Sequence, residues 1–158
     1  GDYDNAILDF DKVIEFDSQD AEAYNNRGTV YAEKGDNRRA IKDYDQAIQL
    51  NSEYAEAYFN RGIANNEILN YQQALLDYDK AIQFDPKLMQ AYNNRGIVYY
   101  QLGDYIRAIQ DFNKIIALDP KLSNAFLLRA YCYQKLGKAA EAESDFAKYT
   151  ELTGKNAP

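Results

Sequence analysis

Arginines stand 34 residues apart at Arg27, Arg61, Arg95 and Arg129, and aspartates keep the same step at Asp9, Asp43, Asp77, Asp111 and Asp145. A guanidinium presents a planar fork of donors that matches a carboxylate, so the two series predict a ladder of structural ion pairs. Asparagine keeps the step as well, at Asn26, Asn60 and Asn94. An amide both donates and accepts, which suits a row that grips an extended peptide backbone without reading its sequence. The sequence contains no histidine, and so lacks the commonest general base and the commonest zinc ligand. The many carboxylates recur with the 34-residue step and have no glycine-rich loop beside them, which argues against a metal or acid-base site. Neither catalysis nor a cofactor is expected.

What positions these side chains is the repeat itself. The stretch Tyr24-Asn25-Asn26-Arg27-Gly28 returns as Tyr58-Phe59-Asn60-Arg61-Gly62 and Tyr92-Asn93-Asn94-Arg95-Gly96, with a degraded copy at Phe126-Leu127-Leu128-Arg129-Ala130. A fixed period of this size means stacked units, each too small to bury its own apolar face and each completed by its neighbours. With the first residue of each repeat as position 1, the copies span 21–54, 55–88, 89–122 and 123–156, and 1–20 is a half repeat matching only the second part. Residues 1–158 are thereby expected to form a single repeat domain.

The first half of each repeat places small or apolar residues at helical spacing, as in Ala23, Tyr24, Gly28, Val30 and Tyr31. A break follows at Gly35-Asp36, Leu69-Asn70, Gly103-Asp104 and Gly137-Lys138. Glycine tolerates the left-handed backbone that ends a helix, and Asp or Asn can accept the free N–H groups that start the next. Leu69 departs from this, and Asn70 is expected to take some of the turn strain. The second half repeats the helical pattern and closes at Asp85-Pro86 or Asp119-Pro120, where proline cannot continue a helix. Nine helices are predicted: one near 3–16 and four antiparallel pairs.

In this register position 4 is Tyr24, Tyr58, Tyr92 and Phe126, and position 8 is Gly28, Gly62, Gly96 and Ala130. Position 20 is Ala40, Ala74, Ala108 and Ala142, and position 24 is Tyr44, Tyr78, Phe112 and Phe146. Across essentially all its length the chain resembles the tetratricopeptide repeat family. The signature fails locally at Asn65, Ile115, Tyr149, Ser52 and Gly154. The resemblance implies an all-α fold, a right-handed α-solenoid of antiparallel helix pairs, and a non-catalytic protein-interaction module.

The arginines at position 7 lie on the inward stripe of the first helix, and the aspartates at position 23 lie beside the inward residues of the second. A buried guanidinium needs a partner. Pairing within a repeat would leave Asp9 over, and pairing with the preceding repeat would leave Asp145; the sequence is compatible with either.

Positions 2, 5, 6, 9, 12 and 13 flank the packed stripe. The resemblance implies that this face lines a concave groove holding a peptide or protein segment. The candidate groove residues are Asn25, Asn26, Thr29, Phe59, Asn60, Ile63, Asn66, Asn93, Asn94, Ile97, Tyr100 and Leu128. In relatives that clamp acidic chaperone tails, cations are expected where this chain has Asn25, Gln90 and Asn94, or Phe59, Asn124 and Leu128. A carboxylate clamp is therefore not expected, and Glu22, Glu33, Glu56 and Glu67 favour a neutral or basic segment.

The formal charge of −7 argues against a nucleic-acid partner, and no apolar run approaches a membrane span. Cys132 replaces the valine of earlier repeats, which implies a buried apolar role. A single cysteine leaves the compartment open, with the cytoplasm slightly favoured. The first helix lacks a preceding partner and is a candidate for packing on another copy, so a self-assembling scaffold, a homo-oligomer formed through its terminal helices or through the groove, is the alternative to peptide capture.

Overall fold

A computed structural model describes residues 2–155. Among them the chain forms nine α-helices and no strand: α1 (Tyr3–Phe16), α2 (Ala21–Glu33), α3 (Asn37–Leu50), α4 (Ala55–Glu67), α5 (Tyr71–Phe84), α6 (Met89–Gln101), α7 (Tyr105–Leu118), α8 (Ser123–Lys135) and α9 (Ala139–Thr153). This is the α-solenoid class of helix pairs, with the nine helices that the sequence predicts and α1 at the expected 3–16. Residue 156, the expected end of the fourth repeat, lies outside the described residues. The chain divides into two compact units, Gly1–Pro86 carrying α1 to α5 and Lys87–Pro158 carrying α6 to α9.

In the first unit α2 packs on α3, α4 on α5, and each pair on the helix before it. The close approach depends on glycine. A Cβ on Gly28 would stand 2.8 Å from Tyr44 Cε1, and one on Gly62 would stand 2.7 Å from Tyr78 Cε1. The tyrosine rings therefore press directly on bare backbone. Tyr44 and Tyr78 are 2% and 1% exposed, and Ala40 and Ala74 beside them are fully covered. The second unit uses the same device with Phe112 against Gly96, and Ala130 replaces the glycine in α8.

The turns between paired helices follow the sequence with one correction. Gly35, Gly103 and Gly137 take left-handed backbone, and Leu69 takes it too, at φ 62°. Asn70 has φ −85° and does not share that strain, which is carried by Leu69 alone. The side chains of Asp36 and Asp104 cap α3 and α7, accepting from the backbone N–H groups of Arg39 and Arg107 at 3.0 Å. Asn70 makes no such cap; its amide donates instead to Asn65 Oδ1.

Candidate functional site

The arginine and aspartate series meet within each repeat. Arg27 Nε and Nη2 donate to the two oxygens of Asp43 at 2.8 and 2.7 Å. Arg61 grips Asp77 and Arg95 grips Asp111, each with an Nη2 distance of 2.6 Å, and Arg129 grips Asp145 in the same forked way. Every guanidinium also lies over the ring at position 4 of its own helix, between 5.4 and 5.6 Å from the centroid for Tyr24, Tyr58, Tyr92 and Phe126. The aspartates are almost wholly covered, and the arginines keep less than a fifth of their side chains in water. Asp9 takes no part in this ladder: it bonds the exposed Lys12 at 3.0 Å.

Within-repeat pairing is only part of the arrangement. Arg27 Nη1 also donates to Asp11, and Arg61 Nη1 to Asp45, both at 2.6 Å, so each arginine reaches into the preceding second helix. Arg129 makes the equivalent contact with Asn113. These acceptors also recur every 34 residues, which is the signal that would have found them. The hydrogen bond to Asp43 raises the Arg27 pKa above its ordinary value against the opposing effect of burial. At Arg61 burial is the larger influence and lowers it, yet Asp77 and Asp45 together carry it upward. Each of these guanidinium groups is paired with a carboxylate across the two helices of its repeat.

Repeat two rewires the surroundings of Asp77. Where repeats one and three stack Arg39 on Tyr31 and Arg107 on Tyr99, repeat two has Gln73 and Asn65. Both turn to Asp77, at 3.1 and 2.9 Å. Asn65, which departs from the aromatic pattern, thus serves as a further donor to a buried carboxylate.

Of the candidate groove residues in the first unit, Asn26, Thr29, Phe59, Asn60, Ile63 and Asn66 are half-buried on α2 and α4. Asn25 is different, and the expectation of an exposed residue there is corrected. It is 1% exposed, because α4 lies across α2 at this point and Asn60 Nδ2 donates to Asn25 Oδ1 at 3.1 Å. Thr29 donates to the Asn25 carbonyl and accepts from the Tyr44 hydroxyl, and Phe59 leans on Tyr78 with centroids 6.1 Å apart. Glu22, Glu33, Glu56 and Glu67 are exposed on the same two helices.

In the second unit Asn93, Asn94, Ile97, Tyr100 and Leu128 are half-buried on α6 and α8, with the Asn93 amide donating to Asn94 Oδ1 at 3.3 Å. Ile97, Tyr100 and Leu128 converge with Tyr131 over the buried ring of Phe112, around a cavity of about 190 Å³. Tyr131 is braced edge-on by Phe146 and Tyr100 by Tyr105, with centroids 5.7 and 5.4 Å apart.

Among the described residues no three His, Cys, Asp or Glu side chains gather as metal ligands, and no helix is long and apolar enough to cross a membrane. Burial pushes the Cys132 thiol up to about 12, which leaves it protonated and unreactive at neutral pH.

The family profile "TPR repeat" matches residues 1–35, 28–67 and 70–103, and "Tetratricopeptide repeat" profiles match 90–122 and 112–144. The chain belongs to the tetratricopeptide repeat family. As such it is a protein-interaction or scaffold module, a class whose members are typically non-catalytic. No curated protein sequence matches it. Among solved structures, a crystal structure of MamA is similar at 30% identity with a TM-score of 0.92, over 98% of this chain and 90% of that one. YrrB, described as a TPR protein with an unusual peptide-binding site, is 26% identical with a TM-score of 0.83 over 92% of this chain and 75% of its own. A MamA structure from Desulfovibrio magneticus RS-1 is 22% identical, with a TM-score of 0.87 over 96% and 86%, and shares the fold.

Proposed function

We propose that this tetratricopeptide repeat chain binds a peptide or protein segment on the faces of its first helices, α2 and α4 in one unit and α6 and α8 in the other, and performs no catalysis. The observation that carries the reading is the row of half-buried side chains there that helix packing does not consume, Asn26 and Ile63 in the first unit and Asn94 and Leu128 in the second. A relative described by its peptide-binding site adds support. In the first unit the exposed Glu22, Glu33, Glu56 and Glu67 favour a neutral or basic stretch.

Random-peptide phage display against the immobilised protein tests this. Enriched peptides should lose binding to an Asn26→Ala, Asn94→Ala double variant whose thermal melt is unchanged; Asn60 is left in place because buried Asn25 depends on it. Absence of any enriched peptide, or equal binding by the variant, contradicts the reading.

A second reading is favoured by α1, where Phe16 is 95% and Leu8 54% exposed. Exposed apolar side chains of that kind support self-assembly into a scaffold. Light scattering across a concentration range, with Phe16→Asp as the control, should then show an oligomer that the variant dissolves, and a strict monomer sinks it.

A further inference from the structure

The cavity over Phe112 is lined by other residue types than the corresponding place in the first unit. Its five lining residues are Ile97, Tyr100, Phe112, Leu128 and Tyr131. Two repeats earlier, the same positions hold Thr29, Ala32, Tyr44, Asn60 and Ile63. There Tyr44 turns its hydroxyl to Thr29 and Asn60 turns its amide to Asn25 Oδ1, so the lining is partly polar and hydrogen-bonded. The stacking of repeats therefore does not require an apolar notch here. It exists because leucine replaces the recurring asparagine at 128, and tyrosine stands at 100 and at 131.

Size and charge say what would fill it. A cavity of about 150 Å³ lined by leucine, isoleucine and phenylalanine is enough to take a benzene ring. The notch measures about 190 Å³ and opens to solvent. Its walls are pre-set, because Phe146 and Tyr105 hold the two tyrosine rings edge-on. The flanking exposed or half-exposed positions on α6 and α8 include the amides Asn93, Asn94, Gln101, Asn124 and Gln134, and the charges on these helices are the exposed Lys135 and the ion-paired Arg95 and Arg129. No carboxylate stands among them, in contrast to the four glutamates on α2 and α4.

The geometry points to an anchor pocket: α6 and α8 bind an uncharged stretch of a partner protein by taking one phenylalanine- or leucine-sized apolar side chain into the notch over Phe112, while the amides alongside hold its backbone. This rests on the peptide-binding reading above and adds to it the chemistry of the segment. Burial of one such side chain supplies specificity that amide contacts to a backbone do not.

The probes are capped amino-acid amides, followed by methyl NMR of the full chain. The N-acetyl amides of phenylalanine or leucine should give saturable shifts of the Ile97 and Leu128 methyls, roughly tenfold tighter or more than the alanine compound. The lysine compound should give none. Leu128→Asn, which restores the residue found at this position in the other repeats, should fold normally and abolish the response. No saturable shift with either bulky amide, equal binding of the alanine compound, or a full response in Leu128→Asn overturns the pocket. The display experiment keeps the two ideas apart. Enriched peptides without a bulky apolar residue that leave Ile97 and Leu128 unshifted remove the pocket and leave peptide binding standing, whereas failure to enrich any peptide removes the parent reading.

Discussion

Arg61 holds Asp77 through three hydrogen bonds, and the aspartate is left 1% exposed. The second acceptor of the same arginine, Asp45, keeps more than half of its side chain in water. The difference in burial sets the difference in cost. Asp77→Ala removes the buried acceptor of a largely covered guanidinium, leaving it only the solvated Asp45, and also takes the acceptor from the Asn65 and Gln73 amides. It should destabilise the fold by about 3–5 kcal/mol. Asp45→Ala should cost about 0–1 kcal/mol, since the acceptor is solvated. Urea melts of the two variants check this, with equal midpoints as the contradicting outcome.

Gly62 meets Tyr78 too closely for any side chain, with a Cβ–ring distance of 2.7 Å. Gly62→Ala should therefore cost about 1–3 kcal/mol by overpacking, although alanine is the better helix former. A melting temperature at or above that of the parent would show that α4 and α5 can separate freely.

Leu69 sits in left-handed backbone and is 69% exposed, where three other turns use glycine. Relief of that strain should make Leu69→Gly more stable by about 1 kcal/mol, read as a rise in thermal midpoint. A fall would mean that the leucine side chain contributes more than its backbone costs.

The caps give the fold an acid-sensitive component. The Arg39 backbone N–H, and then its guanidinium, lower the Asp36 pKa below the ordinary 3.8, and Arg107 acts on Asp104 in the same order. A carboxylate depressed in the folded state stabilises above the unfolded value and loses that contribution as pH falls through the folded value. Stability should thus decline below about pH 4 on this account. The substitutions Asp36→Asn and Asp104→Asn keep a capping side chain that does not ionise, and together they should give a shallower decline in melts taken from pH 5 downward. An unchanged slope would place the acid sensitivity elsewhere.

Periodicity made the helix order and the pairing residues legible, because the same contact is made in each repeat and so writes the same letter every 34 residues. What escaped were places where a residue answers to a neighbour rather than to its own helix. Asn25 reads as exposed from its position on α2, but α4 covers it. Asn65 reads as a failed aromatic, but its amide donates to buried Asp77. The left-handed turn at Leu69 could not be told from the residue itself, since leucine ordinarily avoids that conformation. Helical spacing put Ile97 and Tyr100 on one face of α6, and the repeat register put Leu128 on the matching face of α8, while the cavity they enclose with Tyr131 depends on ring orientations that spacing does not encode.

The central claim, that the first-helix faces are the binding surface, is tested most directly by mapping amide shifts of the full chain as a display-selected peptide is added. Shifts concentrated at Asn26, Ile63, Asn94 or Leu128 are the predicted result. Shifts confined to exposed second-helix residues such as Arg38, Leu76 and Lys114, with the first-helix rows silent, would contradict it.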